Sequence, residues 1–186
     1  SADPLTPEHL RAAADAVRRR SANLVWRVNP LDPHAAELDP FRTTEDSTEI
    51  LDLAPFADGE AVRAHFRHST RKQIAKGVRA GLTARVAESW EEWEQYYRLY
   101  EARLLHWGKG ATNHYPLPFF RALYEARGPR IALHVVEREG RIAGGNLNFY
   151  HGRHCVEWHA AYDAELFACG VRDFLVDHIV RDAWAR

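Results

Sequence analysis

Six polar side chains alternate along GGNLNFYHGRHCVEWHAAYD, residues 144–163: Asn146, Asn148, Tyr150, Cys155, Glu157 and His159. Two amides, a phenol, a thiol, a carboxylate and an imidazole on one surface can bind a polar substrate and move its protons. They share a surface if the stretch is a hairpin, and Gly152-Arg153 supplies a two-residue turn with Gly first, as a type II′ turn requires. Tyr150 is then expected opposite Cys155, Asn148 opposite Glu157, and Asn146 opposite His159, because side chains alternate across a strand. Leu147, Phe149, Val156 and Trp158 fill the other side, expected to face the core. A face that simply meets water competes with this reading, although such faces carry Lys, Thr and Arg more often than amides. Glu157, His159 and Asn148 are thus the candidate catalytic groups. Asn146 and Tyr150, with Tyr162 and Asp163 just beyond the strand, are candidates for substrate binding.

A second chemical signal is FRHSTRKQIAKGVRAGL, residues 66–82. Arg67, Arg71, Lys72, Lys76 and Arg79 fall near i, i+4 spacing along a helix flank, with no acid between Glu60 and Glu88 to offset their repulsion. Phe66, Ile74, Val78 and Leu82 are expected to face inward. The flank reads either as a solvated basic face or as a phosphate site using Arg71, Lys72 and Lys76. The loop from Trp107 to Tyr115 contains Gly108 and Gly110, and it is expected to border the hairpin's cleft and bring Trp107 to a ligand. His151, His154, Cys155 and His159 superficially suggest zinc. Their spacing matches no standard motif, and the hairpin register puts the first two on the opposite face from the others, so no metal is expected. Neither cysteine sits in a recognisable nucleophile arrangement.

The elements that must position these groups alternate, then pair. Helices are expected at Thr6–Arg20, over 58–80 with a break near Ser69-Thr70, from Ser89-Trp90-Glu91-Glu92 onward, at Pro118–Ala126 and at Gly170–Ala185. Strands are expected at Asn23–Val28, Thr48–Leu53, Thr83–Ala87, Arg130–Arg138 and through the hairpin. Helix–strand alternation followed by consecutive strands predicts an α+β fold with a mixed, mainly antiparallel sheet flanked by helices. The 186 residues carry 46% apolar side chains and a formal net charge of −1, which predicts a folded, soluble chain without global attraction to nucleic acid or membrane. No apolar run is long enough to span a bilayer, the N-terminus lacks a signal-peptide pattern, and there are only two cysteines, so a reducing cytoplasm is expected. Methionine is absent, and the sequence stops directly after a helical pattern, which reads as a piece of a longer protein.

The string R-K-x-I-x-K-x-x-x-x-G-L at residues 71–82, followed by a short strand, resembles the entry to the second domain of Fem-type transferases. The Trp90-Glu91-Glu92 helix, the WGKGATNHY loop before PFFRALYE, and EREGRIAGGNLNFYHGRHCVEWHAAYD are similar in order to the acyltransferases related to them within the GNAT superfamily. The resemblance covers residues 50–186, and 5–48 more loosely. It implies that 1–48 end a preceding GNAT-like half-domain, and that 49–186 form a GNAT-like acyltransferase domain short of its C-terminal strands. The implied activity is transfer of an acyl or aminoacyl group to a small or peptidyl amine. GNAT enzymes cradle the donor pyrophosphate with Q/R-x-x-G-x-G/A, where this chain has only Ala168-Cys169-Gly170-Val171-Arg172. The expected donor is therefore acetyl-coenzyme A or an aminoacyl-tRNA, with tRNA a partner in the second case. A non-catalytic nucleic-acid or protein-binding module using the basic helix is the competing class.

Overall fold

The computed structural model describes residues 6–20, 48–107 and 114–186, without the side chains of Val17 and Trp107. The expected strand at Asn23–Val28 and most of the loop after Trp107 lie outside the described residues. The chain divides into two compact units, residues 1–52 and 53–186. In the first, helix α1 spans Pro7–Arg18, and the Thr6 hydroxyl accepts from the His9 N–H at its start.

The second unit is built on a four-stranded antiparallel sheet in the order β1-β2-β3-β4: Thr83–Val86, Ile131–Arg138, Arg141–His151 and His154–Tyr162. Its helices are α2 (Gly59–His65), α3 (His68–Arg79), α4 (Trp90–Trp107), α5 (Leu117–Glu125) and α6 (Val171–Ala185). The mixed α+β architecture of helices flanking a mainly antiparallel sheet is as expected. Residues 48–53 form no strand; Ile50 and Leu51 are exposed, so the alternation there buries nothing.

Local chemistry explains most boundaries. Ser89 and Glu92 form a reciprocal capping box at α4: the Ser89 N–H donates to Oε2 of Glu92 at 3.0 Å, and the Glu92 N–H donates to Oγ of Ser89 at 3.3 Å. Glu139 and Gly140, at φ 53° and 75°, turn β2 into β3, and Gly152 at φ 55° turns β3 into β4. The break in the basic segment falls at Phe66 and Arg67, whose extended backbone (ψ 148° and 150°) ends α2 three residues before the expected point. There the Arg71 guanidinium donates to the carbonyls of Ala64 and Phe66, groups that a helix end leaves open.

Each sheet face has its own cover. On one, α4 and α5 pack an aromatic layer of Trp93, Tyr96, Tyr97, Tyr100 and Phe120 onto Leu133, Val135 and Leu147. On the other, Leu175 and Ile179 of α6 meet Val136, Ala143 and Tyr162, and α2 and α3 pack on α6. The α2–α6 contact is held by the buried Asp177, which accepts from Nε of Arg63 at 2.9 Å and pairs with Nη2 of Arg181 at 3.0 Å. Such a carboxylate is costly to bury alone and is tolerated here because two guanidiniums answer it. Where α3 crosses α6, a Cβ on Gly77 would lie 2.9 Å from Phe174, so glycine permits the close approach. That approach turns the Ile74–Gly77 face inward and leaves Val78 60% exposed, contrary to the expected inward position.

Candidate active site

The hairpin register follows the turn for its first half and then slips. Tyr150 pairs with Cys155 and Asn148 with Glu157, as the Gly152 turn dictates. A bulge between Leu147 and Asn148 leaves Trp158 as an extra residue, so His159 pairs with Leu147 and Asn146 with Ala160. One inserted residue flips everything beyond it, because the strand's side-chain period is two. His159 is therefore not on the face of Asn146. It lies in the α4–α5 layer, with its Nδ1 2.5 Å from the Tyr96 hydroxyl and its ring against Tyr100 and Phe120. Burial pushes its imidazole down to about 4, so it is neutral at pH 7. The slip also separates His159 from the face of Cys155, which the zinc argument had joined.

The expected core side is only partly buried. Leu147 is fully buried, whereas Val156 is 55% exposed, since the aromatic layer ends at Trp158, which packs on Tyr115 and Phe119. Tyr115 is the described end of the Trp107–Tyr115 loop, and it lies against this face, away from Asn146. The Trp107 side chain lies outside the described residues.

The face carrying Asn146, Asn148 and Tyr150 meets neither open water nor a free cleft; α6 covers it. Asn146 and Asn148 are fully buried, and the Asn148 amide donates to the Asn146 carbonyl at 3.1 Å. The Cys155 thiol lies 3.9 Å from Oδ1 of Asn148, and burial raises its pKa, which argues against a resident thiolate. The Tyr150 hydroxyl donates to Oδ2 of Asp182 at 3.1 Å and lies 2.8 Å from Nε2 of His134. Since the phenol's one proton goes to the carboxylate, Nε2 of His134 must be the protonated nitrogen, leaving Nδ1 as an acceptor. Among the described residues, that Nδ1, both amide atoms of Asn146 and the Tyr162 hydroxyl are buried without a hydrogen-bond partner. His134 and His178 lie 5.4 Å apart between their rings, and neither emerged from the sequence as a site residue. His134 sits in a strand of apolar neighbours, and nothing local distinguishes it from an ordinary core position.

Glu157 is exposed on β4, although its cross-strand partner Asn148 is buried. Tyr162 lies over Gly144, where an added Cβ would come within 2.4 Å of its ring. Burial raises the Tyr162 phenol, as do the carboxylates of Glu157 and Asp173, while the amide of Asn146 and the charge of Arg172 oppose them. The Tyr162 ring packs with Val171 and Leu175 near the start of α6. Oδ1 of Asp163 accepts from the Glu165 N–H at 2.9 Å, opening the 3₁₀ segment Ala164–Cys169 that leads into α6.

The start of α6 is unusual. Gly170 holds φ 75°, and a Cβ there would stand 2.3 Å from the backbone oxygen of Gln73 in α3. Both the conformation and the contact require glycine. Gln73 and Gly77 are four apart and both touch the α6 region, so they form the packed face of α3. Lys72 and Lys76, also four apart, run along the adjacent flank; Lys72 is exposed and Lys76 partly so. Two cations thus lie on the α3 flank next to the face that meets Gly170 and Phe174. Among the described residues, no three His, Cys, Asp or Glu side chains converge as a metal site, and no helix is long and apolar enough to cross a membrane.

A family model for the acetyltransferase (GNAT) domain matches residues 64–186. No curated protein sequence matches the chain. A similar solved structure is the C-terminal domain (DUF2156) of a protein described as a lysylphosphatidylglycerol synthetase from Agrobacterium fabrum. The TM-score is 0.50 at 14% identity, over 66% of this chain and 41% of that one. At that identity the likeness speaks for the fold. The matched residues run from the end of α2 to the end of α6 and take in the sheet, both its helical covers and the Gly170 junction. The chain belongs to the acetyltransferase (GNAT) domain family.

Proposed function

We propose that this chain is an N-acyltransferase that moves an acyl or aminoacyl group from a phosphate-bearing donor to an amine. The donor is acetyl-coenzyme A or, as in Fem-type enzymes, an aminoacyl-tRNA. The observation that carries the reading is the junction of α3 with α6 at Gln73 and Gly170, bordered by Lys72 and Lys76. Helix-start amides and flanking cations suit the phosphates of either donor. Arg71 adds charge to the same helix while also tying down the α2–α3 corner.

In the reaction, the amine lone pair attacks the donor's acyl carbon. The C–N bond forms, the C–S or C–O bond to the donor breaks, and the amine proton must leave. Glu157 is the group we assign to take that proton, directly or through water, because it is accessible while His159 is committed to Tyr96. Tyr162, a buried side chain packed near the start of α6, is assigned to donate toward the oxygen or sulfur that gains charge. Asp163 sets the chain direction into the junction. Asn146, Asn148 and Tyr150 support the site from beneath α6.

The test compares acetyl-coenzyme A with aminoacyl-tRNA as donors for a panel of amines. Lys72→Glu with Lys76→Glu should weaken donor binding and, for tRNA, flatten its salt dependence. Glu157→Gln should lower kcat and leave donor affinity unchanged. Absence of binding to either donor would sink the proposal. Equal binding of charged and uncharged tRNA without transfer would instead favour the non-catalytic module.

A further inference from the structure

A cleft of about 300 Å³ opens at the other end of the sheet from the α6 start. Its location follows from the register. Ile131 at the head of β2 pairs with Phe149 near the hairpin turn, whereas Tyr162 pairs with Gly144 eight or nine residues before that turn. After the Ala87 N–H donates to the Leu133 carbonyl at 2.8 Å, the chain leaves β2 to begin α4. The divergence leaves Val86 and Ile131 half-buried at an apolar floor, with the buried Leu133 beneath them.

Three features give this cleft chemistry. Trp93 is fully buried and lines it, and among the described residues the indole N–H has no acceptor. Arg127 lines the mouth, with its guanidinium 3.7 Å from the Tyr124 ring centre and one nitrogen donating to the Tyr124 carbonyl at 2.8 Å. It is held in place but meets no carboxylate among the described residues. Arg186 lines the same mouth, fixed by Asp182 at 2.7 Å and by the Pro129 carbonyl at 3.4 Å, two residues from Arg127. Arg186 is already answered by Asp182, so the unmatched Arg127 over an apolar cleft selects a carboxylate attached to a compact apolar body. The carboxylate meets Arg127, and the apolar part lies along Val86 and Ile131, over the buried Trp93 ring.

We infer that this cleft is a second ligand site, taking a small monocarboxylate with an apolar body and separate from the proposed acyl-transfer site. The probe is 3-phenylpropanoate, with neutral 3-phenylpropanamide as its control. Each is titrated into the full chain by calorimetry while the tryptophan indole N–H resonances are followed by NMR. The acid should bind and move one indole resonance, the one absent from Trp93→Phe, and the amide should bind about tenfold more weakly or not at all. Arg127→Gln should remove that preference for the acid. A Cβ at Gly128 meets nothing within 4 Å, so Gly128→Leu should fill the mouth and abolish binding while Arg127 stays in place. Equal affinity for acid and amide would overturn the inference. So would unchanged acid binding in Arg127→Gln or Gly128→Leu, each checked for folding by circular dichroism.

Discussion

Lowering the pH from 7 to 5 should cost this fold a large part of its stability, through two histidines that burial keeps neutral. His134 and His159 are each pushed down to about 4, His134 despite the opposing pull of Asp182. The unfolded chain titrates near 6.5, so between 6.5 and 4 it binds more protons than the folded chain. Stability contributed by these groups is complete above 6.5 and is lost as pH falls toward 4. At pH 5 the loss is about 2 kcal/mol for each, or about 4 kcal/mol together, against a typical total of 5–15 kcal/mol. His178, also lowered by burial, adds in the same direction. Glu92 does not confuse the window. Burial raises its carboxyl, but Arg85 and the amides of Ser89 and Glu88 outweigh that and hold it down to about 2, so its contribution fades only below the ordinary carboxylate pKa of about 4.5. The assay is urea unfolding followed by tryptophan fluorescence at pH 7, 6 and 5. With a slope of about 2 kcal/mol per molar, the midpoint should fall by about 2 M between the extremes. His159→Phe keeps an aromatic ring against Tyr100 and Phe120 and removes one titration, so its drop should be about half as large, whatever its stability at pH 7. A midpoint that does not move between pH 7 and 5, or a full-sized drop in His159→Phe, would refute the reasoning.

Two further substitutions probe the elements that carry the site. Gly170→Ala should destabilise by about 2–4 kcal/mol, because it adds both left-handed strain and a Cβ 2.3 Å from the Gln73 oxygen. Gly152→Ala, at φ 55° with open space around it, isolates the strain and should cost about 1 kcal/mol, both variants being compared with the parent by urea unfolding at pH 7. Equal losses would mean that α3 does not press on the α6 start. Glu92→Gln keeps a side chain able to cap Ser89 but weakens the pairing with Arg85, so chemical unfolding should show a loss of about 1 kcal/mol at pH 7 that shrinks below pH 4.

What was legible in the sequence had short-range physical causes. The Ser89–Glu92 box, the glycines at the two hairpin turns, and the Tyr150–Cys155 and Asn148–Glu157 pairs depend on residues a few positions apart. The turn at Gly152 specifies the register only until something interrupts it, and the bulge at Trp158 does so. Trp158 and His159 both enter the aromatic layer of α4 and α5, and no alternating pattern announces two successive residues on one side. His159 thereby moved from the candidate proton path into a bond with Tyr96, while Glu157, on the near side of the bulge, kept its pairing with Asn148 but is exposed instead of lying in a cleft with it. The cover over Asn146, Asn148 and Tyr150 was illegible for a different reason. Alternation shows that a strand has two faces, but not which helix, separated from it by tens of residues, will lie on each. A polar face reads the same whether it meets water, a substrate or a helix carrying partners such as Asp182. The basic segment shows the same division: its spacing correctly put Lys72 and Lys76 on one flank, yet only the close packing of Gly77 on Phe174 and Gly170 on Gln73 brings that flank to the end of α6. The donor-side hypothesis thus rests on two glycines, whose importance lies in what would collide with them.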